Sequence, residues 1–213
     1  GMLGGRFNAF SVETLANPDS LKTQRHLTVE YYRDLARIGK EKGVTTINVE
    51  QMYVPSLEPS TLDQADYYLK NINRNNDGCD VYLTIDVGHA SSVAYDYSGD
   101  DLLYEEWIKR FGAASEIIHI QQTTRIESNH WPFTEEHNTA GEIDIGKIIE
   151  CLCWSHQNYQ HQEWSEYLEP VKRNILVLEY LPKTNETEFQ IMDRIIESNR
   201  YLRKYIPSGG ILI

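Results

Sequence analysis

Short apolar runs alternate with longer stretches of helical period along most of this chain, and that alternation limits what it can fold into. Residues 46–50, 81–87, 117–121 and 175–181 are each dense in β-branched and aliphatic side chains and read as strands. A weaker run at residues 5–11, with Phe7 and Phe10 as apolar anchors, reads as a further one. Between them the apolar spacing turns helical. Val29, Tyr32, Leu35, Ala36 and Ile38 share one face, with Thr28 as the expected N-cap and Gly43 as the left-handed stop. Thr61 and Gln64 form a capping-box pattern ahead of Leu62, Ala65, Tyr68, Leu69 and Ile72. Leu103, Trp107 and Phe111 mark another helix, and Asp144 caps the one carrying Ile145, Ile148, Ile149 and Leu152. Phe189, Met192, Ile195, Ile196 and Leu202 mark the last.

Strand and helix thus alternate about five times, with a strand repeat of roughly 35 to 40 residues. Such a pattern predicts an α/β fold with a parallel sheet and right-handed crossovers. A complete eight-unit barrel takes about 250 residues, whereas this chain has 213. The expectation is a single domain over residues 1–213: either an open sheet or about five C-terminal units of a partial TIM barrel. Gly1 before Met2 reads as a cleavage scar, with Met2 as the expected encoded start.

The formal net charge of −12 argues against a nucleic-acid partner, which a basic surface would favour. No apolar run approaches the ~18 residues of a membrane span. The three cysteines, Cys79, Cys151 and Cys153, have no zinc-site spacing; with no secretory pattern in view, a reducing cytoplasm is the expected compartment. No glycine-rich phosphate loop is present.

The strand ends carry the chemistry. The four strong strands finish on Asn48-Val49-Glu50, Asp86-Val87-Gly88-His89, His119-Ile120-Gln121 and Val177-Leu178-Glu179. Sites in parallel α/β folds are built at this end. Alternate side chains share a face, so Asn48 goes with Glu50, His119 with Gln121, and Val177 with Glu179. A single carboxylate at a strand end is ordinarily a solvated rim residue. Three at matching depth would repel one another unless a cation neutralised them. Three carboxylates and an imidazole suit Mn²⁺ first, with Mg²⁺, Co²⁺ and Zn²⁺ as alternatives.

With these residues in order, the chain resembles the xylose-isomerase-like TIM barrels, and among them the sugar and sugar-phosphate isomerases and epimerases. The resemblance runs from about residue 5 to residue 205, and its HIQQTTR and NHWPFT segments lean toward the erythrulose-phosphate isomerase branch. It implies that Glu50, Asp86, His119 and Glu179 hold a divalent metal, that Glu50 and Glu179 exchange a proton with the substrate, and that His89 and Arg125 bind it. The implied reaction is proton transfer beside the carbonyl of an open-chain sugar or sugar phosphate through an enediolate. Members of the family begin with three further strand–helix units that have no counterpart here. The resemblance therefore implies an open barrel edge, covered by a second copy in a homodimer.

Other readings stand beside this one. His89 could cap a turn, and Arg125 could pair on the surface with Glu127. The Asn129–Thr134 segment could wall a pocket or pin its loop to the body, and His130 and His137 could be additional zinc ligands. At the level of function the alternatives are a catalytically inactive metal-binding half-barrel, an assembly protein, or a DNA-repair endonuclease with three zinc ions.

Overall fold

The computed structural model describes residues 10–90, 95 and 97–213. Four parallel strands, β1 (Thr46–Glu50), β2 (Asp80–Asp86), β3 (Ile117–Ile120) and β4 (Ile175–Leu178), lie side by side in chain order. Helices α1 (Val12–Ala16), α2 (Pro18–Glu41), α3 (Leu62–Asn73), α4 (Val87–Ala90), α5 (Tyr104–Phe111), α6 (Glu135–Ala140), α7 (Ile145–Asn158) and α8 (Glu188–Leu202) fill the connections. The expected α/β architecture with a parallel sheet is the one observed, with four of the strand–helix units among the described residues. Most of the expected strand at residues 5–11 falls outside them. At its end, the Phe10 N–H donates to Ser56 O at 2.7 Å, while Ser11 caps α1.

Each sheet face has a different job. Ile47, Val49, Val81, Leu83, Ile85, Ile118 and Ile120 face the helices and are buried. Around them two apolar clusters form. One joins Val29, Tyr32 and Ala36 of α2 to Tyr68 and Ile72 of α3. The larger joins α5 and α7 through Trp107, Phe111, Ile145 and Ile148, all fully buried. The segment between α7 and β4 adds Trp164, whose indole N–H donates to Arg110 O at 2.9 Å. Burying such large side chains supplies most of the driving force for the fold.

Local signals explain several boundaries. Thr61 and Gln64 make the reciprocal capping box at α3, and Asp144 accepts from the Lys147 N–H at the start of α7. Gly43 takes φ +79° after α2, a conformation that costs a side-chain-bearing residue energy. The start of α2 differs from expectation. Thr28 is buried inside the helix, which begins ten residues earlier at Pro18 with Asn17 as its cap. None of residues 18–27 is buried, so their pattern carries no apolar stripe to reveal them. The β4 strand is also shorter than the predicted 175–181.

Two polar clamps hold the β1 and β2 connections. Glu58, 2% exposed, accepts from Arg25 of α2 at 2.8 Å and from the Tyr68 hydroxyl of α3 at 2.8 Å. The Asn73 amide donates to Val81 O at 2.8 Å and accepts from Val81 N–H at 3.0 Å, tying the end of α3 to β2. Groups buried this deeply require such partners.

Candidate metal centre

Strand register brings the predicted ligands together. Glu50 pairs with Thr84, Asp86 with His119, and His119 with Val177. The ladder continues past β4 through the Glu179 N–H, which donates to Ile120 O at 2.9 Å. Because side chains alternate, Glu50, Asp86, His119 and Glu179 all project from the face opposite the helices, at the C-terminal ends of their strands. Each offers one donor atom, and the four atoms lie within 4.8 Å of one another. His119 Nδ1 is 3.0 Å from Glu50 Oε1 and 3.0 Å from Glu179 Oε2. Neighbouring donors on an octahedral ion, each about 2.1 Å from it, lie about 3.0 Å apart, so this spacing suits a divalent cation.

The electrostatics point the same way. The Asp86 carboxyl is fully buried and its pKa is pushed well above the ordinary carboxylate range, first by burial and then by Glu179 beside it. Burial depresses the His119 imidazolium, but hydrogen bonds to Glu179 and Glu50 outweigh that and raise its pKa. The His119 contact in turn lowers the pKa of Glu179. Burial and neighbouring negative charge make the ionised Asp86 costly here, and a divalent ion would relieve that crowding.

His89 sits at the rim of this cluster, 7% exposed. Its Nδ1 faces Gln51 O at 2.8 Å, its Nε2 lies 3.5 Å from Asp86 Oδ2, and its ring packs against Tyr53. Burial lowers its pKa, which keeps the imidazole neutral. Arg125 lies elsewhere. Its side chain is 65% exposed, and Nε donates to Glu142 at 2.6 Å rather than to Glu127. In the Asn129–Thr134 segment the anchoring role is the one observed. Phe133 is fully buried, stacks on Tyr201 and anchors the loop, while His130 turns toward the cluster. His137 instead bonds Thr134 Oγ1 at 2.6 Å on α6; among the described residues, neither it nor His130 joins the metal-type cluster.

Two further residues shape the site. Gln51 takes the Asp86 N–H on its side-chain oxygen at 3.2 Å, and Gln121 donates to Asp86 Oδ1 at 2.9 Å. The sequence signal for Gln121 was its position two after His119, on the same face. Gln51 had no such signal, since its role follows from where the β1 chain turns.

No protein-family model matches this chain, and no curated protein matches it. Among solved structures, a candidate xylose isomerase from Rhodospirillum rubrum superposes with a TM-score of 0.72 over 94% of this chain at 19% identity. The chain has the fold of a xylose-isomerase-like TIM barrel. It spans 61% of the length of that protein. A D-tagatose 3-epimerase-like protein superposes more loosely, with a TM-score of 0.41 over 86% of this chain and 70% of its own at 16% identity. The four described strands thus form part of a barrel wall, with the cluster at the mouth where barrel sites are built.

Proposed function

We propose that this protein is a metal-dependent sugar or sugar-phosphate isomerase or epimerase. The observation that carries the reading is the convergence of Glu50, Asp86, His119 and Glu179 within 4.8 Å at the C-terminal strand ends. Those side chains fit a divalent cation, with Mn²⁺ the first choice by donor chemistry and Mg²⁺, Co²⁺ and Zn²⁺ as alternatives. When bound, it would supply Lewis-acid stabilisation of negative charge developing on the substrate oxygens.

The protein's own groups then have distinct tasks. Glu50 and Glu179 flank His119, so two carboxylates border the space in which a substrate carbon would lie. One removes the proton beside the carbonyl and the other returns it. Return to the neighbouring carbon gives isomerisation, whereas return to the opposite face of the same carbon gives epimerisation. Gln121 and the Gly88 N–H hold the Asp86 carboxylate in place. His89, neutral and oriented by Gln51 O, offers hydrogen bonding to a substrate oxygen. Arg125 would bind substrate only after leaving Glu142, so its part in the reading requires the loop to rearrange.

The decisive experiment measures Mn²⁺ uptake together with solvent proton exchange into a panel of open-chain ketoses and their phosphates. Glu179→Gln should abolish exchange with the fold intact. Exchange at an unchanged rate would reject the role of Glu179, and absence of metal uptake would reject the site.

A metal-binding remnant without activity is the second reading. On the interior face of β4, Ile175 and Val177 are 40% and 39% exposed and offer an apolar surface to a second copy. A homodimer that covers this side would bury them. On α8, Phe189, Met192 and Ile196 are exposed as well. Phe189→Glu with Met192→Glu should halve the mass seen by sedimentation; an unchanged mass removes the dimer from the proposal.

A further inference from the structure

His130 has a backbone that its side chain does not explain. Its φ is +51°, in the left-handed region that a residue bearing a Cβ occupies at a cost. Two hydrogen bonds pin it there. The His130 N–H donates to Gln121 Oε1 at 2.6 Å, and its carbonyl accepts from the Leu181 N–H at 3.0 Å. The result swings the imidazole over the carboxylate cluster, edge-on to the ring of His89 at 6.0 Å between centroids.

Gln121 is fully buried, and its amide has no spare capacity. Because a backbone N–H can only donate, the atom facing the His130 N–H must be the oxygen. That oxygen also accepts from Ser128 Oγ at 3.2 Å. The amide nitrogen therefore points the other way, donating to Asp86 Oδ1 at 2.9 Å and to His130 Nδ1 at 3.0 Å. A neutral imidazole that accepts at Nδ1 carries its proton on Nε2. The Nε2 makes a long contact, 3.4 Å, with Ser128 Oγ, and the Glu179 backbone is a further hydrogen-bonding neighbour of the ring. Gly88 makes the arrangement possible, since a Cβ there would lie 2.2 Å from Gln121 Cδ.

We propose that Gln121 is a positioning residue that fixes His130 in its Nε2–H form at the mouth of the site, where that N–H donates to an oxygen of a polyhydroxy ligand. This rests on the sugar-binding reading above and assigns that site a second imidazole contact beside His89. It also couples the ligand-facing loop to the metal-holding carboxylate, because one amide grips both Asp86 and His130.

Two measurements on the full chain test it. In metal-free protein, long-range ¹⁵N–¹H correlation should show His130 as a single Nε2–H tautomer, and Gln121→Leu or Gly88→Ala should give a tautomer mixture. In Mn²⁺-loaded protein, calorimetry with xylitol as an open-chain probe should show about tenfold weaker binding for His130→Phe, the loss of roughly one hydrogen bond. His130→Gln, which can place an N–H near the same point, should recover part of it. Mn²⁺ affinity should stay within about threefold in both variants, because neither removes a donor atom. A loop anchor acting through its backbone would leave xylitol affinity unmoved. Unchanged binding by His130→Phe, or no xylitol binding by a wild type that holds Mn²⁺, overturns the inference. If the wild type takes up no Mn²⁺, the functional reading fails separately; the tautomer of Gln121→Leu then decides, and an unchanged single form overturns the role of Gln121.

Discussion

The β2–β3 centre of the sheet and its β4–α8 side are built from equally apolar sequence but meet different fates. At the centre, Ile85, Ile118 and Ile120 are fully buried under α5 and α7, and on the opposite face Thr84, Asp86 and Gln121 are fully buried as well. On the β4 side, Ile175 and Val177 are more than a third exposed, and Phe189 on α8 is 84% exposed. The apolar spacing that marks α8 as a helix therefore covers both a side packed on the core, through Leu202, and an exposed one at Phe189, Met192 and Ile196. An amphipathic pattern says that a face wants cover, and only the neighbouring elements determine whether it gets it.

The largest expected effect would break the comparison at the centre. Trp107→Ala empties a fully buried site and should cost about 3–5 kcal/mol in chemical denaturation. Phe189→Ala should change the stability of the isolated chain by no more than about 0.5 kcal/mol. Comparable losses from both would mean that α8 is packed as tightly as α5. A capping change probes the intact side more gently: Thr61→Ala removes the reciprocal cap of α3 and should cost about 1 kcal/mol in the same assay.

The smallest effect concerns pH. Burial holds the His137 imidazole below its ordinary range. The unfolded chain then binds the proton first, so this contribution is complete above the unfolded histidine pKa of about 6.5 and is lost as pH falls through it toward the lower folded value. Thermal melts between neutral and mildly acid pH should show His137→Asn with a shallower acid decline than the wild type. An identical slope would mean that His137 does not titrate differently on folding.

Much of the site was legible because its signals are short-range. Glu50, Asp86, His119 and Glu179 each end an apolar run, and a strand's alternation fixes which face each one shares. The Thr61 and Asp144 caps were visible for the same reason: a cap and its helix lie within a single turn of chain. Residues 18–27 were hidden because a solvated helical stretch has no apolar period. Arg125 could be placed six residues after His119, yet its partner Glu142 is chosen by how the intervening loop folds back.

By itself, the sequence determined the alternation of strands and helices, the parallel sheet that follows from it, and the polar residues at the strand ends. The tertiary structure alone decided that the register of three strand pairs brings four donor atoms within 4.8 Å. It alone decided that Gln121 spans Asp86 and His130, and that Ile175 and Val177 of β4 and Phe189 of α8 stay exposed. The physical reason is one of range: periodicity and capping act over a few residues, whereas register, burial and a shared hydrogen bond depend on segments far apart in the chain.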